Sequence, residues 1–503
     1  MKRVSASIFP PIAIDRTTAY PIYRQLYHWF RQAIVSGRLR PGQRVPSTRA
    51  LAAELKISRL PVLNAFEQLH AEGFLETLVG SGTLVSRAVP GQPWARAVGG
   101  RSLSAAPGSS RMTATAATMA VPPSWSTTLG PFRVSWPALD HFPIRIWSRI
   151  LARHARTPPE ETLAYGDPMG FLPFRQAVAE YLGAARGVRC DVSQVMVVAG
   201  SQQGLQLAAR ILLAPGDRVW MEEPGYPGAH QALSAAGARM VPVPLDDEGL
   251  KVEEGIRHAR DARAVYLTPS HQYPLGATMS AARRLELLQW AAGAKAWVIE
   301  DDYDSEYRFG ARPVAALQGL DTHDRVIYVG TLSKVLFPAL RVGYLVLPAG
   351  LVPAFVAARE AADIFSPTLY QAALTDFLRE GHFARHLRRM RALYLERREA
   401  LTAAIAEQLG GDLEVVGSEA GMHLTCLLQP GIDDRAVSEQ AARHGLSVMP
   451  LSFCRLHPDA RGGLILGYGG STPRQLEDGV HRLRLSLYQV GRSVPLRRRT
   501  SAR

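Results

Sequence analysis

Lysine is scarce in this chain of 503 residues: of its 58 basic residues only five are lysines (Lys2, Lys56, Lys251, Lys295, Lys334) and 53 are arginines. Most of that imbalance reads as a coding bias toward arginine, yet it makes each remaining lysine a residue to account for. Cysteine is scarcer still. Three (Cys190, Cys426, Cys454) exclude a disulfide framework and show no paired metal-ligand spacing. No run approaches the roughly 18 uninterrupted apolar residues of a membrane helix. Met1 to Pro10 also lacks the apolar stretch of a signal peptide. These absences predict a reducing, cytoplasmic setting and no membrane partner. What is present is ordinary for a globular chain, 47% apolar and 20% charged residues, with length for two or three domains.

The formal net charge of +14 is unevenly placed. Residues 1–90 carry a net +7, residues 491–503 a net +5, and the long stretch 112–490 is nearly neutral. From Ala88 to Leu129 there is no acid at all, and Ala, Ser, Gly, Thr and Pro dominate. Such a segment buries too little apolar surface to offset its ordering entropy and reads as a flexible linker. The chain therefore divides into a basic module (18–87), a linker (88–129), a large body (130–490) and an arginine-rich tail (491–503). A basic module beside a neutral body calls for a polyanion partner.

In that module Ile22, Leu26, Phe30, Ala33 and Ile34 recur at helical spacing. Ser47 is placed to cap a second helix over Thr48–Leu55, and Ser58 a third that runs to Gly73. Two short apolar runs flanking Gly80-Ser81-Gly82 predict a hairpin. Three helices and a hairpin make a winged helix-turn-helix. This reading puts Ser58 and Arg59 in the major groove of double-stranded DNA. Ser47 and Arg49 lie on its phosphates, and the Gly80-Ser81-Gly82 turn forms the wing. The run GRLRPGQRVPSTRALAAELKISRLPVLNAFEQLHAEGFLETLVGSGTLV resembles the DNA-binding domain of the GntR family of bacterial regulators. Pro61 stands where threonine is commoner, a change the first helical turn tolerates.

The body alternates apolar strand-like runs with helical segments, predicting an α/β fold with a mainly parallel sheet and a smaller carboxy-terminal α/β subdomain. Ligands in such sheets sit beyond the carboxyl ends of the strands. There the sequence places a glycine turn into a helix (Gly200-Ser201-Gln202-Gln203-Gly204) and the acids of WVIEDDYDSEY. It also places Thr331-Leu332-Ser333-Lys334 with Arg341 beyond, and Tyr226 on a proline-flanked loop. A lysine, an acid, an aromatic ring and a phosphate cradle fit one cofactor, pyridoxal 5′-phosphate, which needs an amine for its aldehyde and an acid for its ring nitrogen.

The set resembles the fold-type-I pyridoxal-phosphate aminotransferases. The resemblance implies that Lys334 forms the Schiff base, an internal aldimine. Asp301 faces the ring nitrogen, Tyr303 binds the cofactor's O3′, and Tyr226 stacks on the ring. Ser201, the backbone at Gln202 and Gln203, Thr331 or Ser333, and Arg341 hold the phosphate. Tyr165 in AYGDPMG reaches the neighbouring subunit's phosphate. Two departures stand out. His271 or Gln272 occupies the place of the usual asparagine, and Ile465 stands about where a carboxylate-binding arginine is expected, leaving Arg455 or Arg461 as substitutes. With the GntR-like module in front, the whole chain resembles the MocR/GabR-type regulators. That implies a transcription factor, working as a homodimer with head-to-tail domain exchange. It senses a small amine, an amino acid or the cofactor itself through an aldimine at Lys334. An aminotransferase with a DNA-binding appendage is the alternative.

Overall fold

The computed structural model describes residues 11–18, 20–78, 82–87, 124–309, 315–417, 419–457 and 461–493. The chain separates into two units, Met1–Met112 and Thr113–Arg503. In the first, α1 (Ile22–Val35) buries Leu26, Tyr27, Phe30, Ala33 and Ile34, the face that the spacing predicts. The Ser47 hydroxyl accepts the Ala50 amide at 3.2 Å and so caps α2 (Thr48–Leu55), which Lys56 ends in a left-handed conformation at φ +51°. The third helix, α3 (Arg59–Ala71), has Pro61 in its first turn, where the missing amide hydrogen costs no helical bond. Phe30 and Phe66 meet edge to face at 5.2 Å and join α1 to α3. The strands β1 (Leu75–Leu78) and β2 (Gly82–Val85) pair antiparallel, and Gly82 opens β2 at φ +85°. Gly80 and Ser81 lie outside the described residues, as do residues 88–123 of the linker and residues 494–503 of the tail.

The second unit is built on an eight-stranded sheet in the order β3-β10-β9-β8-β7-β4-β5-β6. The strands are β3 (Val195–Val198), β4 (Arg218–Glu223), β5 (Arg239–Asp246), β6 (Gly249–Leu250), β7 (Ala264–Leu267), β8 (Trp297–Asp302), β9 (Val326–Thr331) and β10 (Gly343–Val346). From β9 through β5 the pairing is parallel. Strand β10 runs against both β3 and β9, so β3 points the same way as β9. Every residue of β7 and β9 is buried, as a sheet covered on both faces requires. A second sheet, antiparallel, orders β11 (Leu413–Val416), β12 (His423–Leu428), β14 (Gly463–Gly467) and β13 (Met449–Pro450) as β11-β12-β14-β13. Among the described residues no helix is long and apolar enough to cross a membrane.

Candidate functional site

Because β3, β4, β7, β8 and β9 point one way, the segments leaving their carboxyl ends gather at one edge of the large sheet. There they form a cleft. Ser201 comes from the turn after β3, Tyr226 from the loop after β4 and Thr268 from the end of β7. Asp301 and Tyr303 come from β8, and Lys334 from the turn after β9; all line it. Sequence reasoning missed four of the lining residues, Ser135, Tyr266, Thr268 and Tyr273. For Tyr266 a signal existed, since a tyrosine in a buried strand must find an acceptor for its hydroxyl.

The buried Asp301 carboxylate accepts the Tyr266 hydroxyl at 2.8 Å through Oδ2, and its Oδ1 has no partner. Burial pushes this acid up to about 7, against the Tyr266 hydrogen bond, which favours the charged form. Burial likewise pushes the Lys334 ammonium down to about 8, opposed by the Asp301 charge. At neutral pH roughly a tenth of this amine therefore stands without its proton, far more than for an ordinary lysine. The next carboxylate, Asp302, alternates to the other face of β8. There Arg186 lies 2.7 Å away, and the Tyr328 hydroxyl donates to it at 2.6 Å. The Tyr226 ring meets Tyr273 edge to face at 5.7 Å, and burial raises its phenol to about 12.

The remaining candidates divide. Thr331 is buried, and its Oγ1 accepts the Ser333 amide at 3.2 Å; the Ser333 hydroxyl is itself buried without a partner. Ser201 and Gln202 open a helix (Ser201–Leu212), whose first amides have no intrahelical acceptor. Gly200 precedes it at φ +91°, and a Cβ there would come within 3.0 Å of the Arg341 guanidinium, which donates to the Ala199 carbonyl. That guanidinium thus lies against the helix start. The side chains of Gln202 and Gln203 do other work. Gln202 donates to the Gly228 carbonyl, while Gln203 accepts the Ala199 amide and the Arg359 guanidinium. Gln272 braces its own loop, donating to Pro224 and accepting from Leu275. His271 lies behind the cleft, with Nδ1 2.9 Å from both Asp304 and the Tyr303 hydroxyl. Neither lines the cleft. Tyr165 is 85% exposed and also stands outside it. Ile465 is buried among Tyr273, Leu451 and Cys454.

In the first unit Ser47, Arg49, Ser58 and Arg59 are all exposed at the amino-terminal ends of α2 and α3. Arg59 Nε donates to Thr48 Oγ1 at 3.1 Å and ties the two helices together. A Cβ at Gly82 would meet the Arg44 guanidinium at 3.2 Å, so another cation flanks the base of the wing.

Comparison with known proteins accords with this division. Residues 22–85 match the bacterial regulatory proteins of the gntR family, and residues 148–483 match aminotransferase class I and II. The chain is 40% identical over 496 residues to the probable rhizopine catabolism regulatory protein MocR of Rhizobium meliloti, spanning 98% of this chain and 99% of that protein. The chain belongs to the GntR/MocR-type transcriptional regulators. As such it is a DNA-binding regulator fused to a fold-type-I aminotransferase-like domain. Another member, the pyridoxine biosynthesis regulator PdxR of Corynebacterium glutamicum, is 32% identical over 467 residues, 91% of this chain and 94% of that one. Among solved structures, the α-aminoadipate aminotransferase LysN of Thermus thermophilus, complexed with N-(5′-phosphopyridoxyl)-L-leucine, superposes with a TM-score of 0.67. It is 30% identical, covering 72% of this chain and 93% of that one. The aminotransferase-like domain of this MocR-type regulator thus has the fold of a pyridoxal-phosphate enzyme.

Proposed function

We propose that this regulator carries pyridoxal phosphate on Lys334 and changes its hold on double-stranded DNA when a small amine, an amino acid or the cofactor itself occupies the cleft. The observation that carries this reading is that Lys334 lines the same cleft as Asp301, one of whose buried oxygens has no partner. A buried acceptor left unsatisfied is costly unless a ligand donor meets it. When bound, pyridoxal phosphate supplies an aldehyde that condenses with primary amines and a pyridinium ring that withdraws electrons.

The chain's own groups then have distinct tasks. Asp301 Oδ1 would accept a hydrogen bond from the protonated ring nitrogen and hold that proton in place, and Tyr266 keeps the other oxygen fixed. Lys334 presents an amine whose burial favours the reactive neutral form. Tyr226 would cover the ring of a bound cofactor, and Tyr303 would offer its hydroxyl to the ring oxygen. The amides of Ser201 and Gln202, the buried Ser333 hydroxyl, Thr331 and Arg341 form the phosphate cradle at a helix start. His271 acts on Tyr303 from behind rather than on the cofactor. On the DNA side, α3 enters the major groove, with Arg59 leading, and Ser47 and Arg49 grip the backbone. The exposed Tyr165 supports a homodimer in which it completes the cleft of a second copy.

Mass spectrometry tests the assignment. Protein mixed with pyridoxal phosphate, freed of excess and reduced with borohydride, is expected to carry the cofactor mass on the peptide containing Lys334. Lys334→Ala is expected to lose both the label and the visible absorbance. With five lysines in the chain the alternatives are few, and label on any of the other four would contradict the proposal.

A further inference from the structure

The charges of the cleft bear on which amine it accepts. Among the described residues that line it, Lys334 is the one cation and Asp301 the one acid; the rest are serines, a threonine and tyrosines. Several of those hydroxyls are already engaged. Thr268 Oγ1 donates to Glu222 at 2.8 Å, and the Tyr266 hydroxyl donates to Asp301. Behind Tyr273 the wall is dry: Leu451, Cys454 and Ile465 are all 0% exposed and pack into one apolar cluster, with Tyr226 and Tyr303 against it.

The arginines on the segments flanking that cluster face other partners. Arg461 donates to the Leu428 carbonyl and pairs with Glu414, both at 2.6 Å; Arg455 donates to the Arg461 carbonyl at 3.3 Å, leaves its Nε without a partner and lines a separate cavity with Asp434 and Ser452. Arg341 is held against the Ala199 carbonyl at the helix start. A carboxylate entering this cleft would lose its hydration, find no guanidinium among the described lining residues to replace it and share the space with Asp301. A neutral substituent loses little there, because the tyrosine faces and the apolar wall supply contact area.

We infer that the effector is a primary amine whose other substituents are uncharged, and that amino acids are excluded by the absence of a carboxylate clamp. The inference rests on the reading of the cleft as a pyridoxal-phosphate site and narrows it. γ-Aminobutyrate and taurine, each anionic at one end, fall on the excluded side.

The test uses the full chain loaded with pyridoxal phosphate and freed of excess cofactor. Matched pairs, leucine with isoamylamine and tyrosine with tyramine, are titrated beside γ-aminobutyrate and taurine. Binding is read from the absorbance of the bound cofactor and independently by calorimetry. In each pair the amine is expected to half-saturate at a concentration at least about tenfold lower than the amino acid. Equal or tighter binding of the amino acids, or of γ-aminobutyrate or taurine, would overturn the inference, as would silence from both amines. A missing Lys334-dependent absorbance would instead defeat the cofactor assignment on which it rests, so the two failures are distinguishable.

Discussion

On one face of β8, Asp302 sits between Arg186 at 2.7 Å and the Tyr328 hydroxyl at 2.6 Å, and Arg186 also donates to Ser270 at 2.8 Å. One residue earlier, on the opposite face, Asp301 takes a single hydrogen bond from Tyr266 and leaves its second oxygen bare. Both carboxylates are buried. They differ in what surrounds them. The Asp302 face is an internally satisfied ion pair that locks the helix ending at Arg186 to the sheet, and burial of that guanidinium is outweighed by the Asp302 charge, which holds it above its ordinary value. The Asp301 face is left incomplete, and an incomplete buried acid marks a place that a ligand finishes. A satisfied and an unsatisfied buried carboxylate thus stand side by side on one strand.

Removing the partner of Asp302 and removing the charge of Asp301 should move stability in opposite directions. Arg186→Met removes the partner of a buried charge and is expected to cost about 3–5 kcal/mol. A cooperative fall in the denaturation midpoint at neutral pH would show it, and a neutral effect would mean the pair does not hold the helix. Asp301→Asn is expected to stabilise the cofactor-free protein while weakening cofactor binding. With its pKa raised to about 7, native Asp301 keeps its proton where the unfolded chain has released it. The acid therefore costs stability increasingly as the pH rises from about 4 to about 7, and fully above that. The substitution should gain on the order of 2 kcal/mol at pH 8, and the gain should vanish near pH 4. Loss of that charge also takes a favourable neighbour from Lys334, which trims the gain. Denaturation curves at the two pH values check it; a gain that ignores pH would contradict the titration of Asp301. The smallest effect belongs to Tyr266→Phe, which leaves Asp301 without its one hydrogen bond. It is expected to cost about 1 kcal/mol and to drive the Asp301 pKa further up.

Much of this was legible in the sequence, for reasons that differ by region. The winged helix declares itself through local features: the Ser47 cap, a helical stripe in α1 and an excess of basic residues, none of which depends on distant partners; Ser58 takes the N-cap position of α3, but its hydroxyl caps no amide there. The strands of the large sheet were equally plain, because a buried strand reads as an apolar run. Direction does not. Nothing in Gly343–Val346 says that β10 inserts antiparallel between β3 and β9. The cleft was legible as an order of motifs, and Lys334 stood out because lysine is rare. Hydrogen-bond partners were hidden, since they join residues far apart in the chain. The Gln203 side chain braces the Ala199 turn, Gln272 fastens its own loop, and Tyr266 holds Asp301. A strand period of two separates Asp301 from Asp302 onto opposite faces, but only the fold shows which face is satisfied.

In the proposed function, occupancy of the cleft governs the grip on DNA. Affinity for the operator is measured with full-length, cofactor-loaded protein, with and without a responding amine, beside Lys334→Ala. The amine is expected to change the dissociation constant of the native protein about fivefold or more, in either direction, and to leave the variant unmoved. An unchanged affinity while the cofactor absorbance responds, or an equal change in Lys334→Ala, would contradict it.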